Sequence, residues 1–122
     1  MTEAQIYSWI FYAASAVGAE KGVKHREIES VADGINHAVP TQKEISSSMK
    51  WLESKGLLRK EGKKVLLTDV GKELATRLKE KPGGVMKVWE RITKEFEHLG
   101  ADNQVNLNCQ TMKAEPVRGG NA

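Results

Sequence analysis

Residues 40–72 read PTQKEISSSMKWLESKGLLRKEGKKVLLTDVGK, and the order of signals in this stretch decides the fold. Thr41 opens a helix through the pattern Thr41-x-x-Glu44, in which the hydroxyl takes the amide of the third residue and the carboxylate returns to the cap amide. Ile45, Ser48, Met49 and Leu52 follow at the spacing of one helical face. Lys55 and Gly56 then place a cation at the negative helix end and a stop just beyond it. Residues 57–60 and 65–68 are short β-type runs joined by Glu61-Gly62-Lys63-Lys64, a four-residue hairpin loop with glycine inside. Thr68 or Asp69 caps the next helix, in which Val70, Leu74 and Leu78 are expected to face inward.

Upstream, Pro40 biases Val39 toward extended geometry and separates this helix from the one before it. That earlier helix is expected over about 25–33, with Ile28, Val31, Ala32 and Ile35 inward and Gly34 as its stop. Gly22-Val23-Lys24 reads as a very short strand. The first helix starts with Thr2-x-x-Gln5, a second capping box. Its apolar residues form two stripes: Ile6, Trp9, Ile10, Ala13 and Val17, then Tyr7, Phe11 and Ala14 about 100° further round. Ser8, Tyr12 and Ser15 are left for solvent. A helix apolar over so much of its circumference must bury more than one side, and the second side is expected to meet another copy of the chain, the alternative being the fifth helix of the same chain.

Downstream, Lys81-Pro82-Gly83-Gly84 breaks the fourth helix. A fifth carries Val85, Val88, Trp89, Ile92, Phe96 and Leu99 on one face and alternating charges on the other, with Glu90 to Lys94 in the favourable i,i+4 orientation. Gly100 ends it. Residues 1–100 are thus expected to form one domain, and 101–122, without usable periodicity, a disordered tail.

Composition agrees with a single soluble domain: 122 residues, 39% apolar and 29% charged. No run reaches the roughly 18 apolar residues of a membrane span, and no cationic leader precedes the first helix, so a cytoplasmic location is expected. Cys109 is the only cysteine, with no metal-ligand spacing around it. His25, His37 and His98 are scattered and read as surface or boundary residues. No glycine-rich phosphate loop, nucleophile–base pair or metal spacing is present, so neither catalysis nor a cofactor is expected. Net charge is +3, but residues 41–81 hold eleven Lys or Arg against six Asp or Glu, a net of +5, leaving −2 for the remainder. The positive charge therefore sits on the segment with the capped helix and the hairpin.

The succession of helix, short strand, helix, helix, hairpin, helix and helix resembles the winged helix-turn-helix superfamily, a mainly α fold with a small β-hairpin wing (α+β). The MarR-like and PadR-like bacterial regulators look most similar. The resemblance is carried by the run from Pro40-Thr41 through Lys55-Gly56-Leu57-Leu58, and by Leu67-Thr68-Asp69-Val70-Gly71, which is similar to the L-T-x-x-G that leads from wing into helix in those families. It implies a transcriptional regulator that binds double-stranded DNA as a homodimer. The helix over 42–55 would enter the major groove, the basic wing over 59–64 would lie on the backbone, and the terminal helices would join the two copies. Transferred by position, the groove-facing residues are Thr41, Gln42, Lys43, Ser46, Ser47 and Lys50, and the wing residues Arg59, Lys60, Lys63 and Lys64. The dimer interface would comprise Tyr7, Phe11, Ala14, Val88, Trp89, Ile92 and Phe96. The outer face of the 42–55 helix holds no arginine, the commonest specific base reader, which suits modest specificity or reading of shape. The same resemblance admits a second function, a winged helix kept as a protein–protein module without direct DNA binding.

Overall fold

The structure, a computed structural model, describes residues 1–18 and 22–101. The expected disordered tail, from residue 102 on, and Cys109 lie outside the described residues. Five helices and one hairpin follow in order: α1 (Glu3–Val17), α2 (His25–Asn36), α3 (Gln42–Ser54), β1 (Leu58–Glu61), β2 (Lys64–Leu67), α4 (Asp69–Lys79) and α5 (Val85–His98). The described chain is mainly helical with a two-stranded antiparallel hairpin. Pairing runs from Leu58 with Leu67 to Glu61 with Lys64, so only Gly62 and Lys63 form the loop, two residues rather than four. The expected strand at 22–24 is reduced to one bridge, in which Val23 and Val65 exchange backbone hydrogen bonds of 2.9 and 2.8 Å.

Three helices start as their sequences dictate. Thr2, Thr41 and Thr68 each accept a hydrogen bond from the amide three residues on, and Gln5 and Glu44 return to the cap amides. Thr68 does more than cap α4. Its hydroxyl donates to the Gly56 carbonyl at 2.5 Å and its amide to the Leu57 carbonyl at 3.1 Å, stitching the start of α4 to the end of α3. At Gly71 a Cβ would collide with the Leu57 carbonyl oxygen. That close approach gives the Leu67–Gly71 motif its physical content, since only glycine fits where the two backbones meet.

The same approach corrects one expectation. Val70 does not face inward; it is 59% exposed, because the inward position beside Leu57 belongs to Gly71, followed by Leu74, Ala75 and Leu78. Two further corrections concern α2 and α5. Gly34 does not stop α2, which continues to Asn36 and is capped by His37 in the left-handed conformation (φ 56°), its amide donating to the Asp33 carbonyl at 2.6 Å. Val85 and Leu99 stand at the two ends of α5 and are exposed, while Val88, Trp89, Ile92 and Phe96 are buried.

α1 is the hub of the molecule, packed against α2, α3 and α5 and also touching α4 and β2. This settles what its second apolar stripe does. Phe11 and Ala14 are fully buried within the chain, and Phe11 meets Phe96 of α5 edge-on at 5.4 Å. Tyr7 is half-buried and stacks on Trp51 of α3 at 5.1 Å. The stripe expected at a dimer interface (Tyr7, Phe11, Ala14, with Val88, Trp89, Ile92 and Phe96 from the last helix) therefore packs inside one molecule. The physical reason is that α5 has a single apolar face of its own, and α1 is long enough to cover it while still covering α2 and α3. Ser8, expected in solvent, is buried for the same reason, and Tyr12 and Ser15 are half-buried. Trp9 ties the other side, its indole donating to the Ala32 carbonyl of α2 at 2.8 Å. Between α4 and α5, Arg91 donates to the carbonyls of Leu78, Lys81 and Pro82, satisfying acceptors that the end of α4 leaves open.

Candidate nucleic-acid interface

α3 buries Ile45, Ser48, Met49 and Leu52 and turns its opposite side outward. Lys43, Ser46 and Lys50 are exposed on that side and Ser47 is half-buried. Acids border it: Glu44 folds back onto the Thr41 amide at 2.9 Å, and exposed Glu53 continues the stripe one turn beyond Ser46 and Lys50. Lys43 and Lys50 make no ion pair among the described residues. Thr41 and Gln42 are exposed but partly committed. The Thr41 hydroxyl accepts from the Glu44 amide at 3.0 Å, and the Gln42 amide donates to the Glu29 carboxylate of α2 at 3.4 Å.

The hairpin presents Arg59, Lys60, Lys63 and Lys64, all exposed, above buried Leu58, Val65 and Leu67. They are not equivalent. Arg59 is bonded to Glu61 two residues on at 2.6 Å, with both side chains more than half exposed. Such a pair contributes little stability, yet it offsets one cation of the hairpin. Lys60, Lys63 and Lys64 have no ion-pair partner among the described residues.

The predicted site residues fall into two neighbourhoods. Lys43 and Ser47 border a groove of about 230 Å³ shared with Met1, Glu3, Ile6, Tyr7 and Glu44, so the first turns of α1 flank the outer side of α3. Lys60, Lys63 and Lys64 instead surround a notch of about 310 Å³ whose far wall is His25, in the first turn of α2. Sequence reasoning had no means to pair His25 with the hairpin. The two are brought together by the Val23–Val65 bridge, and the only prior signal was the very short strand read at Gly22-Val23-Lys24.

Elsewhere, Gln5, Met86, Trp89, Glu90, Thr93, Lys94 and Glu97 line an open groove of about 450 Å³ along α5. Its lining mixes both charges with apolar groups. No group of three or more His, Cys, Asp or Glu side chains gathers in a metal-binding arrangement among the described residues. Among them, too, no helix is long and apolar enough to cross a membrane. Comparison with known protein families, with curated proteins and with solved structures gave no match to this chain.

Proposed function

We propose that this chain is a winged helix-turn-helix DNA-binding protein, a cytoplasmic transcriptional regulator acting as a homodimer. The observation that supports this most is the outer side of α3, where Lys43, Ser46 and Lys50 are exposed and neither lysine has an ion-pair partner among the described residues. In the major groove, Lys43 and Lys50 would meet phosphates or guanine edges, and Gln42, Ser46 and Ser47 would offer donors and acceptors to bases. The hairpin would lie on the backbone through Lys60, Lys63 and Lys64, with Arg59 joining them on release from Glu61. The burial of Phe11, Ala14 and the inner face of α5 leaves a second copy to pack on other surface, such as the exposed Val85 and Met86 in the first turn of α5. Two such copies would set their α3 helices about 34–36 Å apart, one helical turn of DNA.

The second apolar stripe of α1 would serve a protein–protein module as readily as a homodimer; it is covered within the chain by α3 and α5 and so favours neither.

Fluorescence anisotropy at low salt, with a random-sequence duplex and with genomic fragments, tests the proposal. The expected result is binding that weakens steeply with salt, with log K falling by about 0.9 per phosphate neutralised for each decade of salt concentration. Absence of binding to every duplex would overturn it. Selection of bound duplexes from a random pool would then read the half-site spacing, and sedimentation equilibrium the number of copies.

A further inference from the structure

We propose that the notch between the hairpin loop and the start of α2 is a phosphate-binding site lined by the imidazole of His25 and the ammoniums of Lys60, Lys63 and Lys64. It deepens the nucleic-acid reading, resting on it only for the physiological ligand. Four observations carry the proposal. The notch, about 310 Å³, is lined by these four side chains and Gly62, with no carboxylate among them. The acids closest in sequence are engaged elsewhere: Glu27 accepts from the Lys24 amide at 2.9 Å and Glu61 holds Arg59 at 2.6 Å. None of the four has an ion-pair partner among the described residues. The two walls of the notch are held together, since Val23 and Val65 lock the hairpin to the segment entering α2 through two backbone hydrogen bonds.

Gly22, next to that bridge, supports Lys64. It has a φ of 86°, and a Cβ there would come within 3.1 Å of Lys64 Cδ and 3.3 Å of Lys64 Cβ. The missing side chain lets the aliphatic stem of Lys64 lie along the backbone, so the ammonium is carried on a supported stem. Like charges gathered without an acid repel one another, and a compact dianion or diester relieves that repulsion better than dispersed counterions. Lysine ammoniums are compact point charges that suit a phosphate without demanding bidentate geometry, and the imidazole adds a ring N–H donor. Lysines that merely guard an exposed hairpin edge need no histidine opposite them on another element.

The chemistry is that of a phosphate group, whether in a nucleic-acid backbone or free in solution, and two arms of one experiment separate these sources. Full-length 15N-labelled protein is titrated with inorganic phosphate at constant ionic strength and, separately, with a random-sequence duplex. Expected are shifts of the His25, Gly62, Lys63 and Lys64 amide resonances in both arms, with the Lys43 and Lys50 amides moved by duplex alone. The double variant His25→Gln/Lys63→Gln, its fold checked by the dispersion of the same spectrum, is expected to bind phosphate about tenfold more weakly and to lower the duplex salt slope by about one. Phosphate shifts spread equally over Lys43 and Lys50, or a double variant that binds phosphate like the parent, would overturn the site. If the duplex binds while the His25 resonances stay still and His25→Gln changes nothing, the notch is refuted and the DNA reading stands. If phosphate moves the notch resonances and no duplex binds, the notch stands as a free-phosphate site and the DNA reading falls.

Discussion

The hydroxyl oxygens of Ser8 and Thr93, both buried, lie 2.7 Å apart, joining the middle of α1 to α5. Around them, Trp89 Nε1 donates to both Ser8 Oγ and the Gln5 carbonyl at 3.0 Å, and Thr93 Oγ1 donates to the Trp89 carbonyl at 2.8 Å. Ser8 Oγ also lies 3.0 Å from the Gln5 carbonyl, so two hydroxyl protons serve three contacts. This is the one polar cluster in an otherwise apolar seam between the two helices, and it fixes their relative register.

Replacing either hydroxyl should therefore cost less alone than a lone buried pair would suggest, because each has a second partner. Ser8→Ala and Thr93→Val are each expected to lose about 1 kcal/mol, with the double variant losing less than their sum by about 0.5 kcal/mol or more. Urea unfolding of the four proteins in this cycle measures the coupling; strict additivity would show that the hydroxyls do not interact.

Phe11→Ala distinguishes a core residue from an interface residue. Because Phe11 is fully buried within one chain against Phe96, its truncation should destabilise the protein by about 3–5 kcal/mol. The loss should be the same at low and high protein concentration, whereas an interface residue would make it depend on concentration by mass action. Thermal unfolding across a range of concentrations decides between them.

Gly71→Ala should be among the most damaging single methyl additions in the chain. The new Cβ would run into the backbone oxygen of Leu57, which cannot swing aside as a side-chain end would, so a loss of about 3 kcal/mol is expected. Thr68→Val removes the α4 cap and the bond to Gly56 and should cost about 1–2 kcal/mol. Denaturant midpoints of both variants check the order; a neutral Gly71→Ala would mean that α4 does not approach the α3–β1 connection so closely.

Ser48 offers a change in the opposite direction. Its hydroxyl is fully buried in α3 with no hydrogen-bond partner among the described residues, which leaves its desolvation uncompensated. Ser48→Ala removes that cost and improves helix propensity, and should raise stability by about 1 kcal/mol without altering the outer side of α3. A lower unfolding midpoint would show that the hydroxyl has a partner after all.

Lys43→Gln and Lys50→Gln test the outer side of α3 as a phosphate-contacting face. Each should weaken binding about uniformly across duplex sequences and lower the salt slope by about one, with no change in thermal unfolding. Anisotropy titrations at several salt concentrations read both quantities. An unchanged slope in both variants would remove these lysines from the interface.

Much of the fold was legible because its signals are local. The Thr41-x-x-Glu44 box needs only four consecutive residues, and it forms as its pattern dictates. The inward face of α3 and the Glu90–Lys94 pair, 4.0 Å apart, are likewise set by helical periodicity. Val70 and Ser8 were misplaced because each answer depends on a second element. Val70 is displaced by the proximity of Leu57, and Ser8 is covered by a helix more than eighty residues away in sequence. The two-residue loop at Gly62-Lys63 was read as four because strand ends are set by pairing, which β-type residues alone do not delimit.

For the candidate interface, sequence alone determined which residues are cationic and that Lys43, Ser46 and Lys50 share one side of a helix, because charge and a repeat of 3.6 residues are properties of the chain itself. It also determined that α1 must bury two sides. Only the tertiary structure decided that α5 of the same molecule covers the second side, and that His25 stands across a notch from Lys60, Lys63 and Lys64. Both outcomes turn on contacts between segments far apart in sequence. Burial of apolar area is non-directional, and any sufficiently apolar partner satisfies it until packing selects one.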